Sequence, residues 1–325
     1  MYKAFYNLKR NPFEITPDPA FLYSTLKHNE ALASLYYGVR RRKGFVVLTG
    51  EVGTGKTLLV RCLLQILRRA DVAYAYVFNS RLNPVEFLQY IAGDFRLPTA
   101  GKSKSELLLE LGSYVISRGQ RNLTTVLIVD EAHHLSADVL EEVRLLTNLE
   151  TPQAKLLQIL LIGQPELDEK LDADNLRQLK QRIALRSSLG PLELDEVGGY
   201  IHRRLQLAGS ERPDTIFPIE TILEVHRHSR GYPRLINTLC ENGLIHGYAK
   251  QSRSITPEII EEIARDFRLN VVRHSTDDES ERERSEEVQR AARTLLDLYT
   301  YLREAQSEGN DFGRLARTGK HEPFI

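Results

Sequence analysis

Residues 44–64 read GFVVLTGEVGTGKTLLVRCLL, an apolar, β-branched run that passes through a glycine-spaced turn into leucines at helical spacing. A strand that becomes a helix through such a turn commits the chain to α/β architecture there, with its backbone exposed to something that side chains would hold away. GEVGTGKT fits G-x-x-x-x-G-K-[ST] with Gly50, Gly55, Lys56 and Thr57 in register. A phosphate chain needs several main-chain N–H groups converging on it, and the stretch Gly50, Glu51, Val52, Gly53, Thr54, Gly55 into Leu58 is the one expected to bind it. The helix opening near Lys56 aims its free amides and dipole at the same anion. Lys56 is expected to reach the β- and γ-phosphates, and Thr57 to offer its hydroxyl to Mg²⁺.

A nucleotide triphosphatase also needs a carboxylate at the end of a neighbouring strand. TTVLIVDEAHH supplies Asp130 as the expected metal-side carboxylate and Glu131 as the base that polarises the attacking water. The letters DEAH also mark a helicase class, but those enzymes need two such lobes, and this chain has room and sequence for one. His133 and His134 are therefore read as surface or loop residues after the strand. LLQILLIGQPEL places Gln164 at the end of another strand. There it serves either as an amide on the attacking water or the γ-phosphate, or as a polar cap before Pro165.

Strand candidates at 45–50, 73–79, 124–131, 156–163 and 183–192 alternate with helical patterns, which predicts βαβ units and a parallel sheet covered on both faces. After Pro191 the segments LDEVGGYIHRRLQLA, FPIETILEVHRHS, YPRLINTLCENGLIHGYA and TPEIIEEIARDF carry apolar residues at three-and-four spacing, predicting a small all-helical domain. From about residue 275, STDDESERERSEEVQR reads as a solvated linker. Beyond it Val288, Ala292, Leu295, Tyr299 and Leu302 share one helical face, a candidate docking helix before a polar tail. The expected division is 1–190, 191–270 and 271–325.

Lys plus Arg and Asp plus Glu both total 44, so no global field draws the chain to nucleic acid or a membrane. The local run VRRRKG (39–44) leaves duplex DNA open as a partner, although cations at the end of a preceding helix also complement its dipole. Cys62 and Cys240 lie far apart with no metal-ligand spacing, which suits a reducing compartment and two small core residues. No apolar run approaches membrane-spanning length, so the expectation is a cytoplasmic protein, peripheral at most.

With these residues in hand, the chain resembles the AAA+ ATPases, and more closely their general secretion pathway A-type (ExeA-like) branch. The resemblance rests on FYNLKRNPFEITPDP, GEVGTGKT, VDEAH, GQPEL and GYPR in that order, over about residues 1–268. It implies a P-loop NTPase (AAA+) fold: a parallel five-stranded sheet with helices on both faces and a small all-helical lid, ATP and Mg²⁺ being bound between them. It further implies Gln164 as the sensor-1 residue and Arg234 as the sensor-2 arginine of the lid. Arg182 is its implied finger for a neighbouring subunit's nucleotide, with Arg177 and Arg186 as competitors, which entails an ATP-dependent homo-oligomer. By the same analogy the adenine lies near Pro12 and Phe13, with Tyr23 or the KHNEAL helix nearby. Relatives with a secretion role continue into a membrane span and a peptidoglycan-binding module, and neither is legible in these residues. The implied role is an ATP-hydrolysing switch or assembly factor with a protein partner in secretion or envelope export. The alternatives are an ATP-dependent DNA-binding regulator of the transposition-accessory kind and a binding module with a vestigial nucleotide site.

Overall fold

The computed structural model describes residues 1–269 except positions 69, 79, 80 and 153. Its strands are β1 (Phe45–Gly50), β2 (Val72–Val77), β3 (Thr124–Val129), β4 (Leu157–Gly163) and β5 (Leu185–Leu189). They form one parallel sheet in the order β2-β3-β4-β1-β5. Every residue of β1 and β4 is buried, as central strands covered on both faces require. Alternate side chains go to opposite faces. Phe45, Val47, Ile159 and Leu161 join one core with side chains of helices Pro84–Asp94, Lys104–Gln120 and Ala137–Leu146. Val46, Leu48, Leu160 and Ile162 join another with helices Leu26–Arg40 and Lys56–Leu67.

The edge strands are shorter than their sequence patterns. β5 occupies only part of 183–192, because Ile183 closes a turn from helix Arg177–Lys180 and Gly190 and Pro191 end the pairing. β2 stops at Val77, and the outward N–H of Tyr76 is satisfied by the Asp94 carboxylate at 2.6 Å. That contact removes one open donor from an exposed sheet edge.

Helices Leu194–Leu207, Ile219–Ser229, Pro233–Ala249 and Pro257–Asp266 build a third core around Val197, Ile201, Ile222, Leu239 and Ile260. Pro233 and Pro257 sit in the first turns of their helices, where a missing N–H costs nothing. Tyr2, Tyr6, Leu8 and Phe13 are buried in this same helical core. The Tyr2 hydroxyl donates to Glu241 at 2.7 Å, and that of Tyr6 to the Ser252 carbonyl at 2.8 Å. The first dozen residues therefore pack with the helical part, although the expected division groups them with the sheet. Aromatic residues at the start of a chain seek whichever apolar surface is open, and their spacing does not say which.

Residues Met1–Asn270 form one compact unit. The acidic linker and the amphipathic pattern at 288–302 lie outside the described residues. Among the described residues no helix is long and apolar enough to cross a membrane.

Candidate active site

With β4 inserted between β1 and β3, the loops that leave the carboxyl ends of these three strands stand side by side, where parallel sheets bind ligands. The loop after β1 turns through Gly53 (φ +84°) and Gly55 (φ +101°), conformations that side chains resist, and Gly55 caps helix Lys56–Leu67. Lys56 is buried, and its Nζ donates to the carbonyls of Gly50 at 2.6 Å and Glu51 at 3.0 Å. Burial holds its ammonium below the ordinary lysine range, with Glu131 and Asp130 acting in the opposite direction. His28 braces the loop from behind: its Nε2 lies 3.2 Å from the Thr54 carbonyl and its Nδ1 2.8 Å from the Thr25 hydroxyl. Burial also lowers the pKa of this ring.

From β3 comes Asp130, only 4% exposed. Its Oδ2 accepts the hydroxyls of Thr57 at 3.2 Å and Tyr76 at 2.8 Å, and its Oδ1 accepts the Glu131 N–H at 3.0 Å. Burial and the Asp130 carboxylate push the Tyr76 phenol well above its ordinary pKa, so it remains a donor at neutral pH. Sequence reasoning missed Tyr76, because only the β2–β3 pairing brings it to Asp130. Glu131 has φ +52°, a left-handed backbone that a bulky residue adopts only when its surroundings hold it there.

The residues fit a magnesium nucleotide. Two oxygen donors of metal-binding type, Thr57 and Asp130, already meet beside a buried ammonium and a turn shaped for an anion. Among the described residues no group of three or more His, Cys, Asp and Glu gathers as a metal cage. A metal here would therefore take its remaining oxygens from phosphate and water, as Mg²⁺ commonly does.

The loop after β4 carries Gln164, whose main-chain N–H lies 3.4 Å from His133 Nδ1 and whose amide meets His133 Nε2 at 3.0 Å. The His133 side chain is 7% exposed, and its Nδ1 stands 3.5 Å from Glu131 Oε2. His133 does lie in the turn after β3, as the loop alternative has it, but it is not a surface side chain: it lies between Glu131 and Gln164. Burial lowers its pKa, with His134 adding to the effect. The sequence hint was DEAH itself, but the contact depends on β4 lying beside β3. His134 is exposed, as expected.

The opposite wall of this cavity of about 420 Å³ comes from residues 14–18 and from Tyr200, Arg204, Arg234 and Asn237. Arg234 is exposed and lies in the first turn of helix Pro233–Ala249, and its N–H, which has no partner within the helix, donates to the Gly53 carbonyl at 3.2 Å. Arg204 is buried, donating to the Pro12 carbonyl at 2.7 Å and to Asn237 Oδ1 at 2.8 Å. Phe13 does not line the cavity: it is fully buried against Phe217, while Tyr23 packs edge-on against Tyr200. The neighbouring segment 14–18 forms the wall in place of Pro12 and Phe13.

The three candidate finger arginines differ in their surroundings. Arg182 donates to the Thr147 hydroxyl at 2.8 Å, and Arg186 pairs with Asp168 at 3.1 Å. Arg177 is exposed, with no side-chain hydrogen bond or ion pair to the described residues. The basic run at 40–43 lies where helix Leu26–Arg40 ends, and Arg42 is engaged with the Asn122 carbonyl at 2.9 Å.

Residues 39–171 match the family model described as an AAA domain. Over 256 residues the chain is 45% identical to general secretion pathway protein A of Aeromonas hydrophila, a match covering 78% of this chain and 46% of that protein. The chain thus spans about half the length of that curated relative. Among solved structures it resembles the ORC2 protein of Aeropyrum pernix in its ADPNP–ADP complexes, with TM-score 0.58 and 17% identity over 79% of this chain and 71% of that one. It also resembles Cdc6p of Pyrobaculum aerophilum, with TM-score 0.59 and 18% identity over 76% and 70%. These two likenesses establish the fold.

Proposed function

The chain belongs to the AAA+ ATPases of the general secretion pathway protein A type, and on that footing we propose that it binds and hydrolyses ATP with Mg²⁺ as a switch or assembly factor for secretion or envelope export. The observation that carries the reading is the convergence of Lys56, Thr57, Glu131 and Gln164 on one cavity whose far wall bears Arg234, with Asp130 bonded to Thr57 behind it.

In this reading Lys56 exchanges its two carbonyl partners for phosphate oxygens, a change from neutral to charge-assisted hydrogen bonds. The main-chain amides of 50–55 would cradle the phosphates, and Thr57 and Asp130 would hold a metal, which would supply positive charge against the phosphate oxygens. Glu131 takes the proton of the attacking water, oriented by Gln164. Arg234 rides on the helix whose first turn rests on Gly53, so phosphate binding and the position of the helical part are coupled. A division of labour at about residue 190, with 191–270 acting as a lid, follows from this coupling.

Acceleration by a neighbour's arginine requires an oligomer. Arg177 can reach outwards without breaking a contact, whereas Arg182 must first release Thr147. The general secretion pathway name of the relative supports an export client, and a cytoplasmic location, peripheral through a partner, belongs to the same reading. The deciding experiment is titration with labelled ATP and Mg²⁺ followed by phosphate release, for wild type and Glu131→Gln. Saturable binding by both with turnover by wild type alone supports the reading, and the absence of saturable binding refutes it. Pull-down from lysate, with an envelope component expected, tests the client.

A further inference from the structure

His133 Nδ1 stands almost equidistant from two groups of opposite character, the Glu131 carboxylate at 3.5 Å and the Gln164 main-chain N–H at 3.4 Å. A ring nitrogen can serve only one of them at a time: with a proton it donates to the carboxylate, and without one it accepts the N–H. Its other nitrogen, Nε2, meets the Gln164 amide at 3.0 Å, and that amide presents either NH₂ or oxygen to it by turning about its last bond. The turn carrying the ring is pinned from below, because Lys170 Nζ donates to the carbonyls of His133 at 2.5 Å and Leu135 at 2.8 Å.

Two arrangements are open to the ring. In the first, Nδ1–H donates to Glu131 and Nε2 accepts from the Gln164 NH₂. In the second, Nε2–H donates to the Gln164 oxygen, Nδ1 accepts the Gln164 N–H, and the ring no longer holds Glu131. Passing from one to the other takes a proton off Nδ1 and puts one on Nε2 through water, with no net change in charge. The low pKa that burial gives the ring keeps it in the neutral form in which only one nitrogen is protonated. Gln164 lines the cavity, so an anion there attracts its NH₂ and turns its oxygen towards the ring.

We propose that His133 is a positioning residue that makes the orientations of Glu131 and Gln164 interdependent, so that a phosphate group drawing the Gln164 NH₂ inwards releases Glu131 from the imidazole to act as base. This rests on the reading of Glu131 and Gln164 given above.

The full chain labelled with ¹⁵N-histidine reports the ring tautomer, the His133 signal being identified by its loss in His133→Phe. The expected result is protonated Nδ1 without nucleotide and protonated Nε2 with a non-hydrolysable ATP analogue and Mg²⁺. One tautomer in both conditions overturns the proposal, whatever the rate of turnover. In phosphate release, His133→Phe is expected to lower kcat about tenfold or more while ATP affinity stays within about twofold. In a Gln164→Ala background the same change is expected to add little. A kcat within about twofold of wild type, or losses that multiply, overturns the proposal too. His133→Asn, which keeps a donor near the Nδ1 position, replaces the phenylalanine variant if the latter does not fold. It is expected to lose the dependence on Gln164, and full wild-type coupling in it also counts against the proposal. Saturable ATP binding measured on wild type separates these outcomes from failure of the ATPase reading itself.

Discussion

Arg234 rests on Gly53: its N–H donates to the Gly53 carbonyl at 3.2 Å, and a Cβ placed on Gly53 would stand 2.8 Å from the Arg234 Cβ. The glycine turn after β1 and the first turn of helix Pro233–Ala249 are therefore in backbone contact, at a position where φ is +84° and a side chain is resisted on both counts. Gly53→Ala is expected to cost about 1–3 kcal/mol of stability, read as the midpoint of denaturant unfolding, and to weaken ATP binding at the same time. Gly101→Ala, also at positive φ but with nothing within 4 Å of its Cβ, is the comparison: it bears the backbone cost alone and should leave ATP affinity unchanged.

Lys56→Ala removes the buried ammonium next to the turn. Equilibrium titration with a fluorescent ATP analogue should show affinity lower by about 100-fold or more, since two charge-assisted contacts are lost together. The fold should persist, because Lys56 bonds only two carbonyls of its own loop.

Glu131→Gln keeps the size of the side chain and removes the proposed base. Binding of Mg²⁺ and ATP should remain within a few fold of wild type, while single-turnover phosphate release falls by about 10²–10⁴.

Tyr76→Phe deletes the hydroxyl that Asp130 accepts at 2.8 Å. The carboxylate loses one of its orienting donors, so the Mg²⁺ concentration needed for half-maximal activity should rise, by about 10- to 100-fold if outer-shell partners elsewhere are a guide. Activity at saturating Mg²⁺ should recover.

His28 is neutral against Thr54, and burial holds its pKa below the ordinary 6.5, with the Glu196 carboxylate pulling the other way. The unfolded chain takes up this proton as pH falls through 6.5, and the folded chain only at lower pH. Stability is accordingly lost on acidification between those two values and kept above them. Unfolding midpoints measured from pH 7.5 to pH 5 should fall, and His28→Gln, whose amide still reaches towards Thr54, should reduce that slope. A slope unchanged in the variant would assign the loss to other groups.

The glycine turn after β1 and the placement of Asp130 and Glu131 at the end of β3 were legible in the sequence because each is a contiguous string whose geometry is local: glycines at fixed intervals, or two carboxylates at a strand end. Gln164 was legible as a position, but its engagement with His133 was not, since that depends on β4 lying beside β3. Tyr76 was hidden for the same reason, and Arg204 because a cation with buried partners looks like any surface arginine on a helix. By analogy alone the adenine was expected around Pro12 and Phe13; the segment just after them, 14–18, lines the cavity, while the Phe13 ring packs into the helical core. Strand edges shifted at β2 and β5, where one flank lacks a neighbour and the pattern alone does not say where pairing ceases.

The ribbon before helix Leu26–Arg40 is stitched to the distant helical part by Tyr2 on Glu241, Tyr6 on Ser252 and Arg204 on Pro12, and a few residues later it becomes a wall of the cavity. Trimming these leading residues, as one trims a ragged end when designing a shorter version for crystallisation, would strip panelling from the distal module and open a flank of the pocket together.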